Sequence, residues 1–250
     1  MKTIAFFVAT LLCATFGFAG LKPESQADEV LDGLYDVGKD LKSFTADVKL
    51  NESDLISQDT WTRGGKVWYQ QKEEGDPRMR VSFETRVQDN VSSPQKIDYL
   101  LNKGWLIDRN YARKMEINRQ VLRPGEKMNL LKLGEGPFPL PIGQKKEDVH
   151  RLFDVRKLDK ATDDPADTLH IELTPKPGTQ FERKFASINV WVDLNSAMPR
   201  RIQTVDKNQT MMRGTDLENI RLNAEINEAD FKLPEVVGAD WQRRDEAFEQ

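Results

Sequence analysis

Few side chains in this 250-residue sequence are suited to metal binding or catalysis. Its two histidines, His150 and His170, are far apart, and neither belongs to a spacing that would place two imidazoles on one metal ion. The acidic pairs Glu73-Glu74 and Asp163-Asp164 lie in polar, turn-like stretches, and adjacent carboxylates do not define the opposed pair of a glycosidase. We therefore expect structural or surface roles for the histidines and for these acidic pairs.

Motifs for nucleophilic catalysis and nucleotide binding are also missing from the sequence. It contains no Gly-x-Ser-x-Gly, no P-loop and no Gly-x-Gly-x-x-Gly. The single cysteine, Cys13, lies in an apolar N-terminal run, so the rest of the chain has no thiol for a disulfide or a metal site. We predict a protein that is not an enzyme and uses no metal ion or other cofactor. Its net charge of −4 gives no electrostatic reason to bind nucleic acid.

The first 19 residues have the pattern of a secretory signal peptide. Lys2 precedes an uncharged apolar run over residues 4–18, and Gly17 and Ala19 are the small residues that signal peptidase accepts. The run has about 15 residues, fewer than the roughly 20 of a membrane-spanning helix, although an uncleaved anchor is the alternative. We predict cleavage after Ala19 and export of residues 20–250 as a single domain.

Hydrophobic periodicity predicts a mainly β domain that begins with one helix. Val30, Leu34, Val37 and Leu41 follow at helical spacing after Ser25, which is the predicted N-cap. Segments of alternating apolar and polar residues then predict short strands with turn signals between them. These strands cover residues 44–50, 66–71, 79–88, 96–102, 105–110, 114–121, 168–174, 184–193, 200–206 and 210–222. Consecutive strands joined by turns indicate an antiparallel meander.

The strand pattern is interrupted between residues 124 and 153. A helix is predicted from Pro124 to Leu133, with Gly134 as its stop. The segment 137–141 alternates proline with large apolar residues, so we predict a stiff loop, because proline removes a hydrogen-bond donor. A second short helix is predicted over about 144–152. At the C-terminus we predict a loop at 231–234 followed by a charged tail.

Large apolar side chains on the predicted strands, on the 124–133 helix and in the proline-rich loop are the candidate binding residues. Packing in a core is the ordinary use of such residues. The alternative is that a curved sheet with short helices over it encloses a cavity for an apolar ligand. The candidates for lining it are Trp61, Trp68, Met79, Val81, Phe83, Leu100, Trp105, Ile107, Leu130, Leu131, Leu133, Phe138 and Trp191.

Several of these segments together resemble the LolA-type periplasmic lipoprotein carriers. Similar segments in the first half are the N-terminal helix with Leu41–Leu50, Gly64–Tyr69, Pro77–Val81 and Asn102–Ile107. The strongest similarity is C-terminal, in Ile188–Asp193, Pro199–Ile202, Asp206–Asn208 and Phe231–Pro234. The similarity spans about residues 27–240. One position departs from the family, because Asp76 stands where the better-studied carriers have an arginine before the proline of the third strand.

The resemblance implies an incomplete antiparallel β-barrel, or half-barrel, whose N-terminal helix and short lid helices cover a hydrophobic cavity. It implies a periplasmic carrier, expected to be a monomer, that binds the acyl chains of lipoproteins or other acylated lipids. Its expected partners are an inner-membrane ABC exporter and an outer-membrane acceptor. Two alternatives remain: a lipoprotein or lipid sensor that regulates a partner, and a secreted β-rich hydrolase with convergent carboxylates in a polar cleft.

Overall fold

The computed structural model describes residues 20–73, 76–123, 125–131, 133, 141–238 and 240–248. In these ranges the chain forms two α-helices, one 3-10 helix and twelve strands. The helices are α1 (Ala27–Asp40), α2 (Lys146–Leu152) and the 3-10 helix (Glu228–Phe231). The strands are β1 (Ser43–Asp54), β2 (Thr60–Glu73), β3 (Asp76–Gln88), β4 (Val91–Asn102), β5 (Trp105–Asn110), β6 (Met115–Gln120), β7 (Phe153–Leu158), β8 (Thr168–Pro175), β9 (Phe185–Asp193), β10 (Pro199–Asp206), β11 (Met211–Leu222) and β12 (Gln242–Glu246). The predicted signal peptide lies outside the described residues.

All strands of the described chain belong to one sheet. Their order is β12-β6-β5-β4-β3-β2-β1-β11-β10-β9-β8-β7. Neighbouring strands are antiparallel except for β12, which pairs parallel to β6. The end strands β12 and β7 do not pair with each other, so the barrel stays open. The predicted incomplete barrel, mainly β and antiparallel, is confirmed.

Residue alternation decides which side chains face the inside of the half-barrel. On β1, Phe44, Ala46 and Val48 are buried at every second position, which places them on one face. This concave face packs against α1, whose Val30 and Leu34 are fully buried in the same apolar cluster. Burial of that cluster is the main driving force for holding α1 in the open side of the sheet.

The predicted N-cap of α1 is wrong by one residue. The cap is Gln26, whose backbone N–H donates a hydrogen bond of 2.6 Å to the Glu29 carboxylate. Ser25 Oγ instead accepts a hydrogen bond from the backbone N–H of Lys22. The helix therefore begins at Ala27, close to where the periodicity placed it.

The C-terminal half of α1 makes a close backbone contact with the segment that follows residue 140. A Cβ on Gly38 would lie 2.3 Å from Gly143 Cα, so only glycine fits there. The Gly143 N–H donates a hydrogen bond of 3.0 Å to the Leu34 carbonyl. This contact fixes the start of the α2 region against α1.

The predicted helix over 124–133 is wrong, because its described residues, 125–131 and 133, form only turns and irregular structure. Asn129 Oδ1 accepts a hydrogen bond from the Leu131 N–H, and Gln144 Oε1 accepts one from the Leu133 N–H. These side chains take N–H groups that a helix would bond internally. Leu130, Leu131 and Leu133 are nonetheless buried in the same apolar cluster as α1. Of the predicted stiff loop, only Pro141 is described.

The second predicted helix forms as α2, and Val149 on its inner face is buried. Phe153, which directly follows this helix, begins β7 and packs against Phe181 with ring centroids 4.9 Å apart. No helix among the described residues is long and apolar enough to cross a membrane.

The predicted charged tail at the C-terminus is wrong, because residues 242–246 form the edge strand β12. Its charges complement those of β6: Arg119 Nε lies 2.7 Å from Glu246 Oε2, and Asn118 Nδ2 donates to Asp245 Oδ1. Charged side chains suit an exposed edge strand, where they oppose pairing with another chain. β12 is entirely polar, so alternation does not indicate it. The alternation of Phe153, Asp154, Val155 and Arg156 does indicate β7, which sequence reasoning missed.

Candidate functional site

A cavity lies in the concave face of the half-barrel. Its volume is about 440 Å³, within the range of small-molecule pockets, ~300–1,000 Å³. Strands β1 to β5 and β9 to β11 contribute its walls. The lining residues are Leu50, Glu52, Arg63, Met79, Val81, Phe83, Tyr99, Leu101, Leu106, Phe185, Ile202, Thr204, Arg213 and Thr215.

The apolar wall of the cavity is built on three successive inward positions of β3. Met79, Val81 and Phe83 alternate with outward-facing residues, and each is at most 4% exposed. Leu101 lies opposite Met79 and Tyr99 lies opposite Val81 on the neighbouring β4. Cross-strand partners share a face of the sheet, so β3 and β4 form one apolar surface.

A smaller void lies beside the main cavity. It has a volume of about 20 Å³ and shares Met79, Val81, Ile202 and Thr215 with the main cavity. Methionine side chains are unbranched and adapt readily to irregular spaces. A rotamer change at Met79 would therefore join the two spaces and lengthen the cavity toward the core.

One end of the cavity is charged. Glu52 on β1 accepts hydrogen bonds from Trp61 Nε1 at 2.7 Å, from Arg63 Nη1 at 2.7 Å and from Arg213 Nε at 3.1 Å. Because β1 pairs with β2 on one side and with β11 on the other, arginines distant in sequence reach the same carboxylate. The Arg63 side chain is 22% exposed and that of Arg213 is 57% exposed.

A third arginine is adjacent to this end of the cavity by strand register. Arg86 on β3 is the cross-strand partner of Arg63, and its Nη2 donates to Gln88 Oε1. The Nε atoms of Arg63 and of Arg86 are buried and donate no hydrogen bond within the described part of the chain. We call Arg63, Arg86 and Arg213 the arginine cluster.

Two other titratable groups of this face are affected by burial. Burial and the nearby Asp108 carboxylate raise the pKa of Tyr99, while Arg63 acts in the opposite direction. Burial also raises the pKa of Asp108, and Arg119 partly offsets it. The apolar surroundings therefore disfavour further negative charge on the protein itself at this face.

The predicted lining residues are divided between the cavity and other places. Met79, Val81 and Phe83 line the cavity, and Trp61 lies at its charged end through its bond to Glu52. Leu130, Leu131 and Leu133 are buried in the core with α1 and do not line the cavity. Phe138 lies outside the described residues. Lipid contact by any of these residues stays a prediction.

The remaining five predicted residues lie on the outer, convex face. Trp68, Leu100 and Ile107 pack with Ile226, Phe231 and Leu233 of the C-terminal segment. Trp105, two positions before Ile107, shares its face because side chains alternate along a strand. Trp191 stacks on His170, with ring centroids 4.0 Å apart, and its Nε1 donates to Asp164 Oδ1. The predicted set thus mixed the two faces of the sheet.

Sequence reasoning missed all of the polar lining and several apolar positions. Leu50 and Glu52 continue the alternation of β1, so the pattern could have identified them. In the runs Tyr99-Leu100-Leu101 and Trp105-Leu106-Ile107 consecutive residues are apolar, and alternation does not say which one faces inward. The meeting of Arg63 and Arg213 depends on strand register and has no local signal.

The residues first considered for chemistry have structural roles. His170 Nε2 lies 2.8 Å from Asn189 Oδ1, and His150 Nε2 lies 2.8 Å from Asp28 Oδ1. Asp164 closes a turn by accepting from the Ala161 N–H. No group of three His, Cys, Asp or Glu among the described residues could hold a metal ion. What the cavity offers is apolar surface with a cationic end.

Comparison with known proteins gives matches to solved structures alone. No family model matches the sequence, and no curated protein matches it. An uncharacterized conserved protein from Thermus thermophilus is 11% identical, with 88% of this chain and 98% of that chain covered and a TM-score of 0.48. Pseudomonas aeruginosa MucB, in a complex structure with MucA, is 13% identical over 86% of this chain and 62% of that chain, with a TM-score of 0.43. A LolA superfamily protein from Nitrosomonas europaea is 11% identical over 84% and 98%, with a TM-score of 0.31. Likeness at this level carries no conclusion about function.

Proposed function

We propose that this protein is a periplasmic carrier that holds acyl chains of lipoproteins or other lipids in the concave cavity. The observation that carries the proposal is the continuous apolar wall of β3 and β4, preformed in an open sheet. An acyl chain gains about 0.8 kcal/mol for each CH₂ transferred from water to such a surface. A chain in transit across an aqueous compartment therefore needs this kind of shelter.

The cavity volume indicates how much lipid fits in this conformation. If a methylene group occupies roughly the space of a water molecule, about 30 Å³, the 440 Å³ cavity accommodates about fifteen such groups. That corresponds to one long acyl chain. A cargo with two or three chains requires a wider cavity than this one, because the neighbouring void of about 20 Å³ is far too small for a second chain.

The periplasmic location in this proposal rests on the N-terminal sequence. Lys2, the apolar run and the small residues before Gly20 support export. In this proposal cargo comes from an inner-membrane ABC exporter and passes to an outer-membrane acceptor. N-terminal sequencing of the secreted protein tests the location, and the expected first residue is Gly20.

The carrier proposal is tested by what the purified protein retains. Organic extraction followed by mass spectrometry should release acylated molecules from the wild type. Leu106→Trp, which fills the cavity from β5, should release far less. Leu158→Trp is the matched control, because Leu158 is also partly buried but lies on the edge strand β7.

Absence of acylated molecules from the wild type, or equal release by both variants, would contradict the proposal. A sensor is distinguished from a carrier by what the lipid-loaded protein does. A carrier should transfer its bound lipid to acceptor vesicles or to an acceptor protein, whereas a sensor should instead bind a regulatory partner only when loaded.

A further inference from the structure

The charged end of the cavity holds more positive than negative side chains. Two guanidiniums, those of Arg63 and Arg213, bind one carboxylate, that of Glu52, and Arg86 stands opposite Arg63 on the neighbouring strand. Two acidic residues of nearby hairpins are engaged in their own turns. Asp54 Oδ1 accepts from the N–H of Ser57, and Asp206 Oδ1 accepts from the N–H of Met211.

Two donors of the cluster lack an acceptor. Arg63 Nε and Arg86 Nε are buried and donate no hydrogen bond to any described residue. Buried polar groups in folded proteins are nearly always bonded, since an unmade bond costs free energy. Arg63 and Arg86 are cross-strand partners, so one acceptor group between them could serve both.

Glu52 holds the cluster in place without using all of its donors. Its carboxylate engages Arg63 through Nη1 and Arg213 through Nε, and the Trp61 indole fixes the same oxygen that Arg63 binds. The planar guanidinium has further donors in a rigid fork that suits carboxylate and phosphate oxygens. An arginine oriented by a carboxylate is thus prepared to bind a second anion.

We propose that the arginine cluster is a head-group subsite, and that the cavity takes a single-chain amphiphile whose anionic carboxylate or phosphate binds Arg63, Arg86 and Arg213. This inference rests on the proposed function, because the acyl chain lies along the β3–β4 wall. It adds to that function a negative charge on the head group of the ligand and a direction in which the ligand lies in the cavity. The anionic group lies at the charged end and the chain extends toward Met79 and the smaller void.

Matched ligands separate the head group from the chain. The probes are palmitate, a lysophosphatidic acid with the same chain, uncharged 1-hexadecanol, and inorganic phosphate. Each is titrated by calorimetry into delipidated wild-type protein, and into Arg63→Gln, Arg213→Gln and Glu52→Gln. Arg156→Gln is the control, because it also removes an exposed guanidinium but lies on the edge strand β7.

The subsite predicts a charge-selective pattern. Arg63→Gln should weaken binding of the two anionic amphiphiles by about ten- to hundredfold. It should not change the binding of hexadecanol. The control variant Arg156→Gln should bind all four probes as the wild type does. Glu52→Gln should tighten palmitate binding by roughly fivefold, because it removes a like charge. The preferred head group is that of the amphiphile whose affinity falls more in the Arg63→Gln variant. Inorganic phosphate, which has no chain, should bind at least about tenfold more weakly than the lysophosphatidic acid.

Three results would overturn the subsite alone while leaving the carrier proposal intact. These are equal affinity for palmitate and hexadecanol, equal weakening of both by Arg63→Gln, and binding of inorganic phosphate as tight as that of the amphiphile. If no amphiphile binds, including hexadecanol, the carrier proposal itself fails. Should Arg63→Gln not fold, as judged by circular dichroism, the more exposed Arg213→Gln gives the same test.

Discussion

The two faces of the sheet use arginine in different ways. On the convex face each of three arginines has its own carboxylate: Arg78 with Glu228, Arg80 with Asp98, and Arg109 with Glu116. On the concave face Arg63 and Arg213 share the carboxylate of Glu52, and the third member of the arginine cluster, Arg86, donates to the neutral Gln88 amide. The same side chain therefore completes a structure on one face and remains available for binding on the other.

The convex arginines also bind the backbone of the C-terminal segment. Arg80 Nη1 donates to the Asp230 carbonyl at 3.0 Å, and Arg109 Nη1 donates to the Pro234 carbonyl at 2.6 Å. These bonds attach residues 228–234 across the outside of β3, β4 and β5. A paired arginine with an additional carbonyl acceptor has few donors left for a ligand, which distinguishes it from Arg63.

The largest loss of folding stability is expected from a substitution on the convex face. Asp98→Asn should lower the free energy of unfolding by about 3 kcal/mol, because it leaves the Arg80 guanidinium without a charge partner. The Asp98 side chain is 0% exposed and that of Arg80 is 14% exposed. Urea unfolding at neutral pH measures the change. Asp148→Asn, which removes an exposed ion pair with Arg151, is the control and should cost less than about 1 kcal/mol.

A smaller loss is expected for the corresponding change on the concave face. Glu52→Gln should lower the free energy of unfolding by about 1 kcal/mol, because the amide oxygen still accepts hydrogen bonds and Arg213 remains hydrated. The same urea experiment applies. If Glu52→Gln were as destabilising as Asp98→Asn, the arginine cluster would be a structural network like that of the convex face.

The attachment of the C-terminal segment should weaken in acid. Hydrogen bonds from Arg78 and Lys72 lower the pKa of Glu228 from 4.5 to about 2. A depressed carboxyl pKa stabilises the folded protein above the unfolded value, so this stabilisation is lost as pH falls from 4.5 toward about 2. Glu228→Gln should flatten the dependence of Tm on pH in this window. Glu225→Gln should leave it unchanged, and an equal effect of both would contradict the assignment to Glu228.

The smallest effect that we expect is a change in tryptophan fluorescence when a ligand binds. Trp61 Nε1 donates to Glu52 at the charged end, so an anionic amphiphile that draws Arg63 away from Glu52 should change Trp61 emission. Trp61→Phe should abolish most of the response to palmitate. Trp191→Phe should preserve it, because Trp191 stacks on His170 on the convex face. A response that persists in Trp61→Phe would place the ligand elsewhere.

Local patterns predicted the strands but not the full site. Alternation placed Met79, Val81 and Phe83 on one face, because a strand side chain has only two directions. It did not choose between Leu100 and Leu101, since both are apolar and the choice depends on pairing with β3. The charged end depends on register alone, because Glu52 and Arg213 meet across a separation of 161 residues.

Non-local contacts also explain the elements that were predicted wrongly. The Leu133 N–H is taken by Gln144, which lies 11 residues away, so helical spacing of the leucines was not enough to form a helix. The strand β12 consists of polar residues whose partners lie on β6, with Asp245 and Asn118 separated by 127 residues. Neither contact has a signal within a short window of sequence.

The central position of β1 has a consequence for the order in which the chain assembles. β2 to β6 and β7 to β11 are each runs of sequence neighbours that can pair early, because closing a short loop costs little entropy. The seam between β1 and β11 joins partners such as Asn51 and Asp216, which are 165 residues apart. High contact order of this kind slows folding. The cavity's charged end is therefore completed by Arg213 only after nearly the whole chain has been made, and until then the β3–β4 wall faces water as an exposed sheet.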